Sequence, residues 1–382
     1  MLFQTPQLGE RELAVMASID DLAQKLRLRL YDPRRWVGSL GRAQFARAVQ
    51  GSNSIEGYEA AVDDAAAIEL GEEPIDASEE TRRAIRGYCE AMTYVLQMSS
   101  ETNFHYSEQL LKSLHFMMTS YDLRNRPGLW RAGAIYVRKE ETDDIVYEGA
   151  DIDEVPQLMH ELVLELNAEN GCPPLVRGAM AHLNLVMIHP FRDGNGRMAR
   201  CLQTLVLGRN RILSPVFCSI EEYLGRDTLA YYDVLARVGQ GSWQPEGSAA
   251  HWVRFVLTAH LRQARTLQLR IRESEKLWDD LEKLVARYRL PDRMLPALYD
   301  AAMRFRVRNG TYRAILAKSE EEISEQVASR DLKAMTELEL LVAHGTARGR
   351  FYTAAPQLAA LRSAIVALRD PRDDSDPFDG AP

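Results

Sequence analysis

The stretch HPFRDGNGRMAR, residues 189–200, sets a histidine, an aspartate, a Gly-Asn-Gly turn and two spaced arginines within twelve positions. On its N-terminal side Ala179, Leu183, Val186 and Met187 fall at i, i+4, i+7 and i+8, one apolar face of a helix that the pattern ends near Ile188. On its C-terminal side Met198, Leu202, Leu205 and Val206 repeat the spacing, and Gly208 reads as a stop. The stretch is therefore a loop joining two helices that pack together. Helical periodicity of this kind dominates to about residue 290, so the fold class read from the sequence is mainly α.

Working outward, the 382 residues are long for one domain, and the apolar and charged fractions, 46% and 27%, are those of an ordinary globular chain. A net charge of −8 argues against a surface that grips nucleic acid everywhere, though not against a local basic patch. No apolar run reaches the roughly 18 residues that a membrane helix needs. MLFQTPQLGERELA has no basic segment before an apolar core, so no secretory signal is expected. Cys89, Cys172, Cys201 and Cys218 show neither metal-ligand nor disulfide spacing, and a reducing cytoplasm is the expected location.

Five segments follow from the composition: an N-terminal helical region (1–100), a core (101–245), connecting helices (246–294), a segment of different pattern (295–365) and an Asp/Pro-rich tail (366–382) expected to be disordered. Within the core, AIYVRKEETDDIVYEG (134–149) reads as a small β-hairpin around a charged turn. In the fourth segment, Leu340–Val342 and Phe351–Thr353 read as two strands around an Arg/Gly-rich tip.

The chemistry of the opening stretch follows from its residue types. His189, at a helix end, offers an imidazole able to accept a proton near neutral pH. Gly194 and Gly196 around Asn195 let backbone N–H groups turn inward at a helix N-terminus, a natural anion site. Arg197 and Arg200 share a helix face and suit two phosphates of a polyphosphate. Asp193 suits Mg²⁺ bridging those phosphates. Base, metal ligand, anion cradle and paired arginines together point to transfer of part of a nucleotide to a hydroxyl.

These residues resemble the signature of the Fic-domain family, His-Pro-Phe-x-(Asp/Glu)-Gly-Asn-Gly-Arg-x-x-Arg, at every defined position, and the resemblance extends over roughly residues 30–270. It implies a Fic-type helical bundle with the hairpin 134–149 as a flap, and transfer of AMP from ATP to a Ser, Thr or Tyr hydroxyl of a target protein. It assigns proton removal to His189 and the metal to Asp193. Gly194, Asn195, Gly196 and Arg197 go to the phosphates and Arg200 to the γ-phosphate, with pyrophosphate leaving alongside Mg²⁺. The target segment would pair with the flap by strand addition. The flap is followed by acidic VYEGADIDEVP where many relatives carry a proline-rich run, which favours a target with basic residues.

Far upstream, SNSIEG (52–57) resembles the family's inhibitory pattern, (Ser/Thr)-x-x-x-Glu-(Gly/Asn), and marks Ser52, Glu56 and Gly57 as regulatory. Ser52 and Glu56, four apart, would share one side of a helix. If Glu56 pairs with Arg200, that arginine cannot hold the γ-phosphate, and the chain is expected to be largely off. The resemblance leaves open removal of AMP by the same site, with Glu56 orienting a water. Tyr231 and Tyr232 are candidates for lining an adenine pocket. Residues 295–365 resemble a winged helix-turn-helix, with SEQVASRDLKAMTEL as recognition helix and AHGTARGRFY as wing. Arg330, Lys333, Arg348 and Arg350 are its candidate DNA contacts, opposed by the nearby Glu320, Glu321, Glu322 and Glu325. A homo-oligomer is a further expectation, and no membrane partner is. Two alternatives stand beside AMP transfer: a Fic-type phosphotransferase, and a nucleotide-sensing DNA-binding regulator.

Overall fold

The computed structural model describes residues 1–31, 35–139, 142–210, 214–318, 321–346, 349–371, 373 and 375–379. The chain forms two compact units: Met1–Arg27 with Gln44–Arg265 and Ser375–Pro382, and Leu28–Ala43 with Thr266–Asp374. The helices run in the order α1 (Glu10–Tyr31), α2 (Arg35–Ser54), α3 (Val62–Glu69), α4 (Glu79–Met98) and α5 (Glu108–Thr119). A hairpin of β1 (Tyr136–Arg138) and β2 (Ile145–Glu148) follows, then α6 (Val155–Asn167), α7 (Pro174–Ile188) and α8 (Asn195–Arg209). Four more helices complete the run: α9 (Pro215–Cys218), α10 (Glu221–Arg226), α11 (Thr228–Gly239) and α12 (Ala250–Tyr288). The last elements are α13 (Leu295–Ala302), α14 (Asn309–Ala317), α15 (Glu325–Glu337), β3 (Leu341–His344), β4 (Phe351–Ala354) and α16 (Pro356–Ala367).

In the first unit α7 and α8 pack together, and α7 is apolar around its circumference because it lies between two clusters. Val176, Ala179, Leu183 and Met187 face one cluster with Trp252 and Val256 of α12, where the Trp252 indole donates to the Ala179 carbonyl at 2.7 Å. Leu185 and Ile188 face the other, together with Met198, Leu202, Leu205 and Val206 of α8. Helix starts carry the caps expected of their sequences: the Ser78 and Ser107 hydroxyls accept from Thr81 and Leu110 N–H at 3.1 Å. Gly208 does not end α8, which runs on to Arg209 and is capped by Asn210.

The flap hairpin is antiparallel, with Tyr136 opposite Glu148 and Arg138 opposite Ile145. Its base is fastened to the body: the Tyr147 hydroxyl donates to the Met187 carbonyl at 2.7 Å, and Glu148 N–H to the Gly241 carbonyl at 3.0 Å. Residues 140–141 of its tip lie outside the described residues.

The second unit holds α13–α15 followed by the antiparallel pair β3–β4, Leu341 opposite Ala354. Its buried polar centre is Asp331 of α15, held by Arg293 at 2.7 Å and by the Tyr312 hydroxyl at 3.1 Å. Lys333 already faces Glu337 at 3.5 Å, Arg330 and Arg350 are exposed, and Arg348 and Glu320 lie outside the described residues.

The end of the chain differs from the expected disorder. Helix α16 reaches only Ala367, but within the tail Phe378 is buried in the first unit against α12, with the Arg254 guanidinium 5.8 Å from its ring. Arg11 donates to the Asp379 carbonyl at 3.0 Å. One aromatic side chain and backbone carbonyls do this, and a charge-dominated composition conceals both. Among the described residues no helix is long and apolar enough to cross a membrane, and Cys89, Cys172 and Cys201 are free thiols.

Candidate active site

Helix α7 stops at His189, whose backbone is left-handed at φ 54° and whose N–H closes on the Leu185 carbonyl. A β-carbon is disfavoured in that conformation, and Pro190 bars continuation of the helix. The surroundings hold it: Arg131, buried, donates from Nε to the His189 carbonyl at 2.9 Å and from its other nitrogens to the Gly133 and Ala150 carbonyls. Arg131 thus ties the flap to the motif loop. Sequence reasoning passes over it, although it lies in a stretch, RPGLWRAGAIYVR, that the family resemblance includes. The His189 Nδ1 lies 3.0 Å from the Val186 carbonyl, which can only accept. Nδ1 therefore carries the proton, and Nε2 is left with its lone pair. Burial disfavours the imidazolium and holds the pKa below the ordinary histidine value, against the pull of the Val186 carbonyl and of Glu56.

The loop that follows is braced from inside. Asn195 accepts from Phe191 N–H and donates to the Phe191 carbonyl, both at 2.9 Å. Its side chain is spent on the loop, and only its backbone N–H remains for an anion. The Phe191 ring stacks on His115 with centroids 3.7 Å apart. His115 is a second residue without a signal in the sequence. Its Nδ1 accepts from Gly128 N–H and its Nε2 donates to the Asp193 carbonyl, both at 2.9 Å, and burial lowers its pKa to about 4. Gly194 needs its glycine: φ is 77°, and a β-carbon would sit 3.1 Å from Thr119 Cγ2. Helix α8 opens with no side-chain cap, so its first N–H groups are free to meet an anion.

The two arginines are buried at the start of α8. Arg197 lies over the Tyr58 ring at 4.9 Å and 3.6 Å from Asp193, yet its Nε and one terminal nitrogen have no hydrogen-bond partner. One terminal nitrogen of Arg200 is likewise without one. Buried guanidinium nitrogens are costly to leave unpaired, and a polyphosphate would satisfy them. The Asp193 carboxylate accepts from Gly194 N–H at 2.6 Å and from the Asn125 side chain at 3.1 Å. Among the described residues no cluster of three metal-ligating side chains exists. A lone carboxylate beside a phosphate cradle fits Mg²⁺, which takes most of its ligands from phosphate and water.

SNSIEG sits on this cradle. Helix α2 ends at Ser54, so Ser52 is helical while Glu56 lies in the closing turn beyond it. Tyr58 N–H bonds the Asn53 carbonyl, Gly57 N–H the Ser54 carbonyl, and Gly57 is left-handed at φ 79°. This is the Schellman closure, and it explains why glycine follows the glutamate. The turn delivers Glu56 to Arg200 at 2.6 Å, while the Arg200 Nε donates to the Ser52 hydroxyl at 2.8 Å. Burial pushes the Glu56 carboxyl up, but the Arg200 and Arg197 charges outweigh it and hold the pKa below the usual carboxylate range. A β-carbon on Gly196 would overlap Glu56 Oε1, so that glycine admits the ion pair.

Two further contacts seat the turn. Gly51 and Gly225 let α2 and α10 cross at backbone contact, since a β-carbon on either would come within 2.6 Å of the other helix. The Tyr232 hydroxyl donates to the Ile55 carbonyl at 3.0 Å. Tyr231 is buried in the core with its hydroxyl 2.9 Å from His182 Nε2, so the structure gives it a packing role instead of an adenine surface.

Residues 105–207 match the family described as Fic/DOC. The chain carries a Fic domain. Protein adenylyltransferase fic-1 of Caenorhabditis elegans is 41% identical over 69 residues, 18% of this chain and 13% of that protein. Protein adenylyltransferase Fic of Nematostella vectensis is 33% identical over 113 residues, 27% of this chain and 24% of the relative. The matches thus span a quarter or less of these curated relatives. Among solved structures, a Fic family protein from Desulfovibrio desulfuricans G20 superposes with TM-score 0.58 at 21% identity, covering 92% of this chain and 98% of its own. Residues 134–508 of C. elegans Fic-1 give 0.51 at 21% identity, covering 67% and 73%. Both similarities concern the fold.

Proposed function

We propose that the Fic domain transfers AMP from ATP to a hydroxyl of a target protein, and that the Glu56–Arg200 pair holds it off. The observation that carries the reading is a histidine whose Nε2 keeps its lone pair, on a loop that leads directly to two buried, incompletely partnered arginines. His189 Nε2 removes the hydroxyl proton, and the oxygen attacks the α-phosphorus. The bond to the β-phosphate oxygen breaks, and pyrophosphate leaves. The α8 N–H groups, Arg197 and Arg200 hold the phosphates, and Asp193 would hold Mg²⁺, which neutralises phosphate charge when bound. With Arg200 engaged by Glu56 and Ser52, the γ-phosphate has no guanidinium to orient it, and near-attack geometry is lost.

Relatives named protein adenylyltransferase support the reaction class. The target strand would lie along the flap, where Tyr136, Ile145 and Val146 are exposed, and the acidic residues beside it favour a target with basic ones. We extend the reading to a winged helix in the second unit, serving protein docking or DNA. The test uses wild type, Glu56→Gly and His189→Ala with Mg²⁺ and ATP labelled at the α- or γ-phosphate. Strong α-label on protein from Glu56→Gly alone is the expected result. Label from the γ-position would replace AMP transfer by phosphotransfer, and no transfer to any target extract would favour a nucleotide-sensing regulator.

A further inference from the structure

The inhibitory turn also reaches the second buried arginine. Tyr58 follows Gly57 directly, one residue beyond the pattern that marks Ser52, Glu56 and Gly57. Its N–H closes the turn on the Asn53 carbonyl at 3.1 Å, which fixes where its side chain starts. The Arg197 guanidinium of α8 lies over the Tyr58 ring, with its central carbon 4.9 Å from the centroid. Tyr121, just past the end of α5, joins the two. Its hydroxyl accepts from Arg197 Nη1 at 3.5 Å and donates to the Tyr58 oxygen at 3.1 Å. Burial, together with that bond, pushes the Tyr58 pKa up, so the ring is a neutral phenol.

A ring face attracts a cation through its quadrupole and takes none of the cation's N–H groups. Arg197 is fully buried, yet its Nε and Nη2 have no hydrogen-bond partner, and Nη2 stands 3.6 Å from Asp193. The contact with Tyr58 therefore steadies the guanidinium and leaves two donors for an anion. A carboxylate in that place would have taken them, as Glu56 takes Arg200. We infer that Tyr58 is a positioning residue for the nucleotide, the platform on which Arg197 is held ready for a phosphate, with Tyr121 as its brace. The inference rests on the reading of Arg197 as a phosphate ligand. It gives the SNSIEGY turn two opposite roles: Glu56 withdraws one arginine from the nucleotide, and Tyr58 prepares the other. Release of the lock is then a movement of the Glu56 side chain alone, because lifting the whole turn would take the platform from Arg197.

The experiment measures ATP affinity by calorimetric titration in the Glu56→Gly background, so that the lock does not enter. Tyr58→Leu, Tyr58→Phe and Arg197→Gln are added singly, and Tyr58→Leu is also combined with Arg197→Gln. Tyr58→Leu loses the aromatic face and should weaken ATP about fivefold, the order of one cation–π contact to a half-buried ring. Tyr58→Phe keeps the face and should restore most of that loss. Arg197→Gln keeps an amide donor, so ATP binding stays measurable, but it removes the charge that the ring holds. On top of it, Tyr58→Leu should change ATP affinity by less than about twofold. An equal loss with and without Arg197 would mean that the ring serves only packing, and unchanged affinity for Tyr58→Leu would equally overturn the inference. Tighter binding by Tyr58→Leu would make the tyrosine a second lock, the reverse of a platform. Partial unfolding of a variant shows as fewer binding sites per chain and does not mimic weaker binding. If Arg197→Gln itself leaves ATP affinity unchanged, the phosphate reading of Arg197 fails, and this inference with it. If Arg197→Gln weakens ATP and Tyr58→Leu does not, only the inference fails.

Discussion

Replacing Glu56 by Gln removes the charge from the inhibitory turn while keeping its shape. The bond at stake runs from Arg200 to Glu56 at 2.6 Å, between a fully buried guanidinium and a carboxylate that is one quarter exposed. A hydrogen bond to a charged group contributes about 1.5–3 kcal/mol and a neutral one about 0.5–1.5. Partial exposure places this pair toward the lower end. Losing the charge but not the contact therefore costs the lock about 1–2 kcal/mol, a factor of about 5–30 in the population of the open state. Glu56→Gly loses the contact as well, for about 10–150-fold. Transfer of α-label from ATP to protein should thus rise in the order wild type, Glu56→Gln, Glu56→Gly, and His189→Ala should abolish it in every background. Rates for Glu56→Gln within twofold of wild type, beside an active Glu56→Gly, would refute a charge-based lock. Transfer that survives His189→Ala would refute the assignment of the base.

Tyr232→Phe removes the hydrogen bond to the Ile55 carbonyl that seats the turn. It should raise α-label transfer by a few-fold, about 0.5–1.5 kcal/mol of lock, and an unchanged rate would show that the turn holds itself. The acid limb of transfer by Glu56→Gly should have its midpoint below 6.5, because burial lowers the pKa of His189 and leaves the base free over most of the neutral range; a midpoint at 7 or above would contradict this. His182 and His260 are buried and neutral, with pKa lowered to about 3 for each. The unfolded chain binds protons at these two sites below about 6.5 and the folded chain does not, so their contribution is full above that pH and lost as pH falls. Stability should drop by about 1.4 kcal/mol per pH unit for each histidine. Urea midpoints at pH 7.5 and 5 measure it, and equal midpoints would refute it.

The loop and its two helices are legible in the sequence because their determinants are local. Apolar spacing marks α7 and α8, Pro190 ends one, and Gly194 permits the turn that begins the other. The flap is legible from its two β-prone runs. What spacing does not show is the use of single side chains: the Asn195 side chain turns inward to brace Phe191 while its backbone N–H stays on the cradle, and Tyr231 looks like a ligand surface and is core. Glu56 looks helical and sits just past the helix end, where Gly57 closes the turn.

By itself, then, the sequence determined the helical class, the position of the motif loop and the residue types that could do the chemistry, since periods and turn residues act over a few positions. Its pairing of Glu56 with Arg200, 144 positions apart, came from family resemblance and not from any local signal. The tertiary structure alone decided which partners those residues meet. Arg131 on the His189 carbonyl, His115 under Phe191, Gly51 against Gly225 and Phe378 on α12 are all long-range. Each depends on backbones brought together by core packing, and no spacing along a single chain encodes such a contact.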